Sequence, residues 1–323
     1  MNNLRRRMML AGLISPFARI SPAGAQGISN RPIRFVLGQT AATTPDLIAR
    51  TLAPRMAAKW NQPFLVENKG GAGGAIGLDA VAKSPPDGHV VTISVNSTVT
   101  LPIFFKIDFD VLNSFTPICM VAENIFALVV HPSVPAKNFA EWLEWAKREG
   151  PNVNYGSPGN GTHHHLIMES VKLRTGVNIT HIPYKGSAPA FTDLMAGQIS
   201  TMFVPLGTAL SLGPSGKIRP IAGSGKERSP LAPDLPSLHE EGVKDFDYTS
   251  WFSAWGPAGM APELVAKYRA SLADVLAEKD VRDTLAKMGV TVKLSTPEEL
   301  DRRNRGDYEH FAKLIKDAKI KGD

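Results

Sequence analysis

The chain has 323 residues, 43% of them hydrophobic, with 36 Lys+Arg against 30 Asp+Glu, a formal net charge of +6 and one cysteine. That length suffices for two lobes, each with its own core, and the lone thiol, Cys119, excludes an internal disulfide. Residues 1–25 hold Arg5, Arg6, Arg7 and Arg19 and no acid, so without them the charge is +6 − 4 = +2; no Lys/Arg run interleaved with aromatics remains, which argues against nucleic-acid binding.

The N-terminus reads as an export signal over residues 1–25. An arginine cluster precedes Met8-Met9-Leu10-Ala11-Gly12-Leu13-Ile14, and Ala23-Gly24-Ala25 supplies a small-residue cleavage site. The cluster also fits the twin-arginine route. Pro16 and Arg19 keep the apolar stretch too short for an anchor, so an exported, soluble periplasmic product is expected.

Strand and helix patterns then alternate in the manner of an α/β protein. Ile33-Arg34-Phe35-Val36-Leu37 reads as a strand. A helix follows from about Asp46, with Ile48, Leu52, Met56 and Trp60 on one apolar stripe and Pro54 predicted to kink or split it. Phe64-Leu65-Val66-Glu67 is a second strand, and a glycine run over residues 70–77 leads into a helix and the strand at 89–95. Gly71-Ala72-Gly73-Gly74-Ala75-Ile76 lacks the last glycine of a dinucleotide loop, and no Lys-Ser or Lys-Thr follows. A close crossing of loop and helix is expected there, and no cofactor.

A second α/β cluster begins at the buried-type strand Phe126-Ala127-Leu128-Val129-Val130. Asn138 and Glu141 cap the next helix, which ends at Gly150-Pro151. Further strands are predicted at 178–182, 199–204, 218–223 and 251–256, and Thr296-Pro297-Glu298-Glu299 opens the last helix with a capping box. Repeated strand-loop-helix units predict a mostly parallel sheet.

Between these elements, Asn154-Tyr155-Gly156-Ser157-Pro158-Gly159-Asn160-Gly161-Thr162 has the composition of an anion cradle. The glycines let the backbone approach a ligand closely, and Thr162 stands at the N-cap of a helix that stops at Gly176. The first-turn N–H groups and the positive end of the helix dipole favour a carboxylate or phosphate. His163, His164 and His165 fan over different helix faces and cannot share one metal, so no metal site is expected; His163 is the candidate ligand contact among them. Gly-Ser-Pro-Gly is not a nucleophile elbow. Asp46 has two readings, helix cap or cleft residue.

Glu67-Asn68-Lys69 with Gly71-Ala72-Gly73-Gly74, Pro86-Asp87-Gly88, the cradle, Pro183-Tyr184-Lys185-Gly186-Ser187-Ala188-Pro189-Ala190, Ala196-Gly197-Gln198, Arg228-Ser229-Pro230, Ser250-Trp251-Phe252 and Pro257-Ala258-Gly259 occur in this order. Together they resemble the Bug family, the substrate-binding proteins of tripartite tricarboxylate transporters, over essentially the whole mature chain. The resemblance implies an α/β, type II periplasmic-binding-protein fold whose two lobes close over a small organic carboxylate. The lobes are expected to comprise residues 26–123 plus about 253–323, and about 124–252.

It further implies one carboxylate against Ser157, Gly159, Asn160, Gly161 and Thr162, with a second loop at Gln39, Thr40, Ala42, Thr43 and Asp46. Ser97 and Thr98, past the strand ending at Val95, and Val204 complete the candidate contacts. The second loop departs from the family's Pro-Phe and Gly-Gly, having Gly38-Gln39 and Ala42-Thr43 instead. Val204-Pro205 stands where the family often has Asp-Asn, which disfavours an amino-acid ligand. The expected role is delivery to the membrane subunits of a tripartite tricarboxylate-type transporter by a monomeric receptor. A sensor subunit presenting its closed form to a signalling protein is the alternative, and an enzyme on the same fold ranks below both.

Overall fold

The computed structural model describes residues 29–320, so the export signal and its cleavage site lie outside the described residues. The elements in chain order are β1 (Ile33–Leu37), α1 (Thr44–Trp60), β2 (Phe64–Asn68), α2 (Ala75–Ala82), β3 (Val90–Val95), α3 (Leu101–Phe104) and β4 (Phe115–Val130). They continue with α4 (Phe139–Glu149), β5 (Asn154–Ser157), α5 (His163–Thr175), β6 (Thr180–Pro183), α6 (Ser187–Met195), β7 (Thr201–Pro205), α7 (Leu206–Leu212) and β8 (Arg219–Gly223). The chain closes with β9 (Thr249–Pro257), α8 (Pro262–Ala277), α9 (Lys279–Lys287), β10 (Thr291–Val292) and α10 (Pro297–Asp317).

The strands follow the order β2-β1-β3-β9-β4-β7-β5-β6, with β8 and β10 also on β4. Each wing is parallel, as the alternating pattern predicts: β1 with β2 and β3, and β5 with β6 and β7. The centre is antiparallel, so the sheet is mixed and not mostly parallel as the repeated units predicted: β3 pairs antiparallel with β9, and β4 with β7, β8, β9 and β10. β4 pairs with β9 from Phe115 to Ile125 and with β7 from Phe126 to Val130, so one strand serves both wings in succession. Its first half is absent from the sequence reading, because Pro117 and the polar pair Glu123-Asn124 interrupt the apolar run. The register shifts at Pro117/Cys119 and Met120/Ala122 absorb that irregularity as bulges.

Two cores result. One gathers Phe35, Leu37, Ile48, Leu52, Met56, Ile93, Tyr268 and Leu272 between the first wing and α1, α8 and α9. The other gathers Trp142, Tyr155, Leu166, Val171, Phe203 and Phe246 under α4 and α5. Loss of a side chain the size of Trp142 from such a core costs about 3–5 kcal/mol.

α1 runs through Pro54 as one helix, so the proline does not split it. Pro54 lies on the exposed face, where the carbonyl it leaves unbonded can meet water, while Ile48, Leu52 and Met56 stay packed.

α10 packs into two separate hydrophobic clusters. Its Leu300 packs with Met120, Trp251 and Trp255 on the first wing, whereas Phe311, Leu314 and Ile315 enter the second core. Between them Asp307 accepts hydrogen bonds from Asn96 Nδ2 (2.8 Å) and Trp251 Nε1 (2.9 Å), tying the helix to the strand crossing. Burial is the largest influence on Asp307 and raises its carboxyl pKa despite those donors. Among the described residues no helix is long and apolar enough to cross a membrane.

Candidate ligand-binding site

The cradle is built at the C-terminal end of β5. Ser157 is fully buried, and its hydroxyl bonds His181 Nε2 (2.7 Å) and the backbone N–H and carbonyl of Gly159 (3.2 and 3.0 Å). It therefore shapes the turn from inside. Gly159 and Gly161 take φ 139° and 71°, values that glycine adopts without Cβ strain.

Thr162 is the N-cap residue of α5, in extended conformation, yet its side chain caps no helix N–H. The hydroxyl instead donates back to the Gly159 carbonyl (2.8 Å). No acidic residue occupies the first turn of α5. The first-turn amides and the helix dipole thus have neither an N-cap side chain nor a first-turn carboxylate to neutralise them.

The loop before α1 repeats this arrangement. Thr43, the extended N-cap, also leaves the helix uncapped and donates to the Thr40 carbonyl (2.7 Å). Ala42 precedes it at φ 64°. The third helical residue closes the loop in both cases: Asp46 accepts from the Ala42 N–H (2.9 Å), and His165 Nδ1 from the Gly161 N–H (3.1 Å).

Asp46 is buried and takes further bonds from Arg50 Nε (3.0 Å) and Asn68 Nδ2 (2.9 Å). Burial would raise its carboxyl pKa, but the donors Arg50, Ala42 and Asn68 outweigh that and hold it below the usual range. Asn68 also donates to the Gln39 carbonyl (3.1 Å), so the pair Asp46–Asn68 fixes the loop at both ends. Asp46 is not the helix cap that the sequence offered, since Thr43 holds the N-cap position and Asp46, the third helical residue, instead braces the preceding loop.

The glycine run forms the close crossing that the sequence suggested. A Cβ on Gly38 would lie 2.4 Å from the Gly74 carbonyl oxygen, and one on Gly77 would lie 2.6 Å from Gly38 Cα. Gln39 and Thr40 rest against the same run, near Gly74 and Gly70.

The remaining candidates separate. Ser97 and Thr98 lie on the short turn at Asn96–Thr100 between β3 and α3. Thr98 spends its hydroxyl on the Val95 carbonyl (2.8 Å) and lines a small cavity with Asn304 of α10. Val204 is buried among Ala127, Met202 and Leu206, so its side chain belongs to a core. Asn160 is partly buried within the cradle.

The three histidines fan apart as expected. His163 bonds the Tyr248 hydroxyl through Nδ1 (3.0 Å), and His165 stacks on His181 with centroids 3.9 Å apart. His164 stands edge-on to Phe126 (5.1 Å, 77°). Burial lowers the pKa of His163 to about 4, of His164 to about 3 and of His165 to about 4. Among the described residues no group of three His, Cys, Asp or Glu could hold a metal ion.

Phe104 escaped the sequence reading. With Val99 it leaves the turn after β3 and packs on the second core. A Cβ on Gly161 would lie 2.7 Å from its ring. The two lobes therefore meet at the cradle. They meet again on the other side of β4, where a Cβ on Gly207 of α7 would lie 2.4 Å from the Met288 carbonyl oxygen.

The sequence pattern described as "Tripartite tricarboxylate transporter family receptor" matches residues 48–320. The chain is 30% identical over 325 residues to protein BugT of Bordetella pertussis, covering 99% of this chain and all of that one. It is 33% identical over 268 residues to a UPF0065 protein from the gbd 5' region of Cupriavidus necator, covering 82% of this chain and 81% of the relative.

Among solved structures it resembles the periplasmic binding protein BugD at TM-score 0.76 and 31% identity, covering 91% of this chain and 99% of that one. An R. palustris protein solved with adipate gives 0.81 and 29%, with 91% and 99% covered. MatC of Rhodopseudomonas palustris, solved with bound malate, gives 0.75 and 26%, with 88% and 99% covered. The two-lobed fold is that of periplasmic binding proteins, and the chain belongs to the tripartite tricarboxylate transporter receptor family, whose members are periplasmic solute-binding proteins and not enzymes.

Proposed function

We propose that the protein captures a small organic carboxylate between its lobes and delivers it to the membrane subunits of a tripartite tricarboxylate-type transporter. The observation that carries this is the first turn of α5. Its N-cap hydroxyl is turned away, its first turn holds no acid, and the Phe104 ring packs against Gly161 just before it. Such a helix end favours an anion by roughly 0.3–2 kcal/mol, more as water is excluded. Adipate and malate on the solved relatives support the ligand class.

One carboxylate sits against the cradle of Ser157, Gly159, Asn160, Gly161, Thr162 and His163, with Gln39, Thr40, Ala42 and Thr43 opposite. Asp46, Ser97, Thr98 and Val204 support these segments through the bonds and packing described above. The lobes divide at the crossings of β4 and β9, with α10 shared between them, and the receptor acts as a monomer after removal of residues 1–25.

A thermal-shift screen of the mature chain against mono-, di- and tricarboxylates tests the ligand class, since a ligand that binds only the native state raises the melting temperature. A screen in which none of them moves the transition rejects the proposal.

A further inference from the structure

We infer that His165, braced by His181, is the positioning residue of the cradle: it ties the loop to α5 through an acceptor that carries no charge, and so keeps the end of that helix open to an anion. This deepens the carboxylate reading above and rests on it. Both ends of the loop hang on the two histidines. His165 is 5% exposed, and its Nδ1 accepts from the Gly161 N–H (3.1 Å). His181 Nε2 bonds the Ser157 hydroxyl (2.7 Å), and the two rings stack with centroids 3.9 Å apart and an interplanar angle of 18°. His181 stacks in turn on Tyr155 (4.7 Å, 18°), whose hydroxyl donates to Glu169, which also accepts from Lys172 Nζ (2.7 Å).

The bond to Gly161 fixes the state of the ring. An Nδ1 that accepts carries no proton, so His165 is the neutral Nε2–H tautomer. Burial, with the Lys172 charge nearby, lowers its pKa to about 4 and keeps it uncharged at neutral pH. The loop before α1 is tied by a charged group instead. There the third helical residue is Asp46, which accepts from the Ala42 N–H (2.9 Å) and sets an acid in the first turn of α1, whereas the first turn of α5 has none. A carboxylate in that place meets the positive end of its own helix. The end of α1 is thus answered from within the chain, and the end of α5 is left for a ligand. An aspartate could serve as the acceptor at either position, since its Oδ1, like the imidazole Nδ1, is bonded to Cγ. What the histidine adds is neutrality.

The test is calorimetric titration of the mature chain and its variants with malate, succinate and adipate. His165→Asn presents an uncharged Oδ1 to Gly161 and should bind within about threefold of the parent. His165→Asp presents the same acceptor with a charge and should bind about tenfold more weakly or worse. His181→Ala removes the brace and should weaken binding about tenfold, and His181→Phe, which restores the stack, should recover part of that loss. Nitrogen-15 spectra of the parent at neutral pH, which require no variant to fold, should show His165 as the Nε2–H tautomer. An Nδ1–H or doubly protonated ring, equal affinity of the folded Asn and Asp variants, or full affinity in folded His181→Ala overturns the assignment of His165. Failure of all three acids to bind the parent defeats the carboxylate reading itself, and this inference with it.

Discussion

Ala42 and Gly161 occupy the same place in opposite lobes: each precedes the N-cap threonine of a cleft helix, at φ 64° and 71°, and donates its N–H to the third helical residue. The left-handed region costs an L-residue roughly 1–2 kcal/mol, and glycine nothing comparable. Ala42→Gly should therefore leave stability within about 1 kcal/mol of the parent, the relieved strain offsetting the extra freedom of the unfolded chain. Ala42→Val should be destabilised by at least about 1 kcal/mol in denaturant unfolding.

Gly161 differs from its twin in having Phe104 above it. A Cβ there would meet the ring at 2.7 Å, so Gly161→Ala should weaken carboxylate binding by about tenfold while the lobe stays folded. Calorimetry on a double-mutant cycle checks this, because the penalty should shrink when Phe104→Ala removes the obstacle.

Asp46 couples fold to pH. Its folded pKa is depressed below the ordinary 3.8, so its contribution is present above that value and is lost as pH falls through the lower, folded pKa. Asp46→Asn should cost about 2 kcal/mol at neutral pH and flatten the acid limb of the stability curve below about pH 4, measured by urea unfolding.

His163 is buried with its pKa lowered from 6.5 to about 4. Below pH 6.5 the unfolded chain takes up a proton that the native state refuses, so stability falls from pH 6.5 toward 4 and then levels. The slope for this one group is about 1.4 kcal/mol per pH unit at most. His163→Gln should reduce the slope over that window, and an unchanged slope would contradict the burial argument.

Gly207 and Gly289 bring the lobes together backbone to backbone: a Cβ on Gly289 would lie 2.2 Å from the Gly207 nitrogen. Gly207→Val should hold the lobes apart. Small-angle scattering in saturating carboxylate should give a larger radius of gyration than the parent, while the helical content by circular dichroism stays the same.

Local chemistry was legible where a side chain acts on its own neighbourhood. Thr296 and Glu299 form the expected capping box, Asn138 caps α4 through Glu141, and Gly176 ends α5 in the left-handed conformation. The glycine run over residues 70–77 crosses its loop at contact distance. What escaped is set by partners distant in sequence. Thr162 stands at the expected N-cap, but the direction of its hydroxyl depends on the Gly159 turn. Phe104 gains its role from Gly161, and the long β4 from two sets of partners that cover a proline and two polar residues. The two-wing division was readable from alternation, whereas the straddling path of α10 depends on which core each of its faces meets.

The central claim is that the uncapped first turn of α5 holds the carboxylate. Backbone amide NMR during titration with a binding carboxylate from the thermal-shift screen tests it most directly. The account predicts that the amides of Thr162, His163, His164 and His165 move most, downfield, as expected for N–H groups that gain an anionic acceptor. Saturable binding that leaves those four amides unmoved would contradict it.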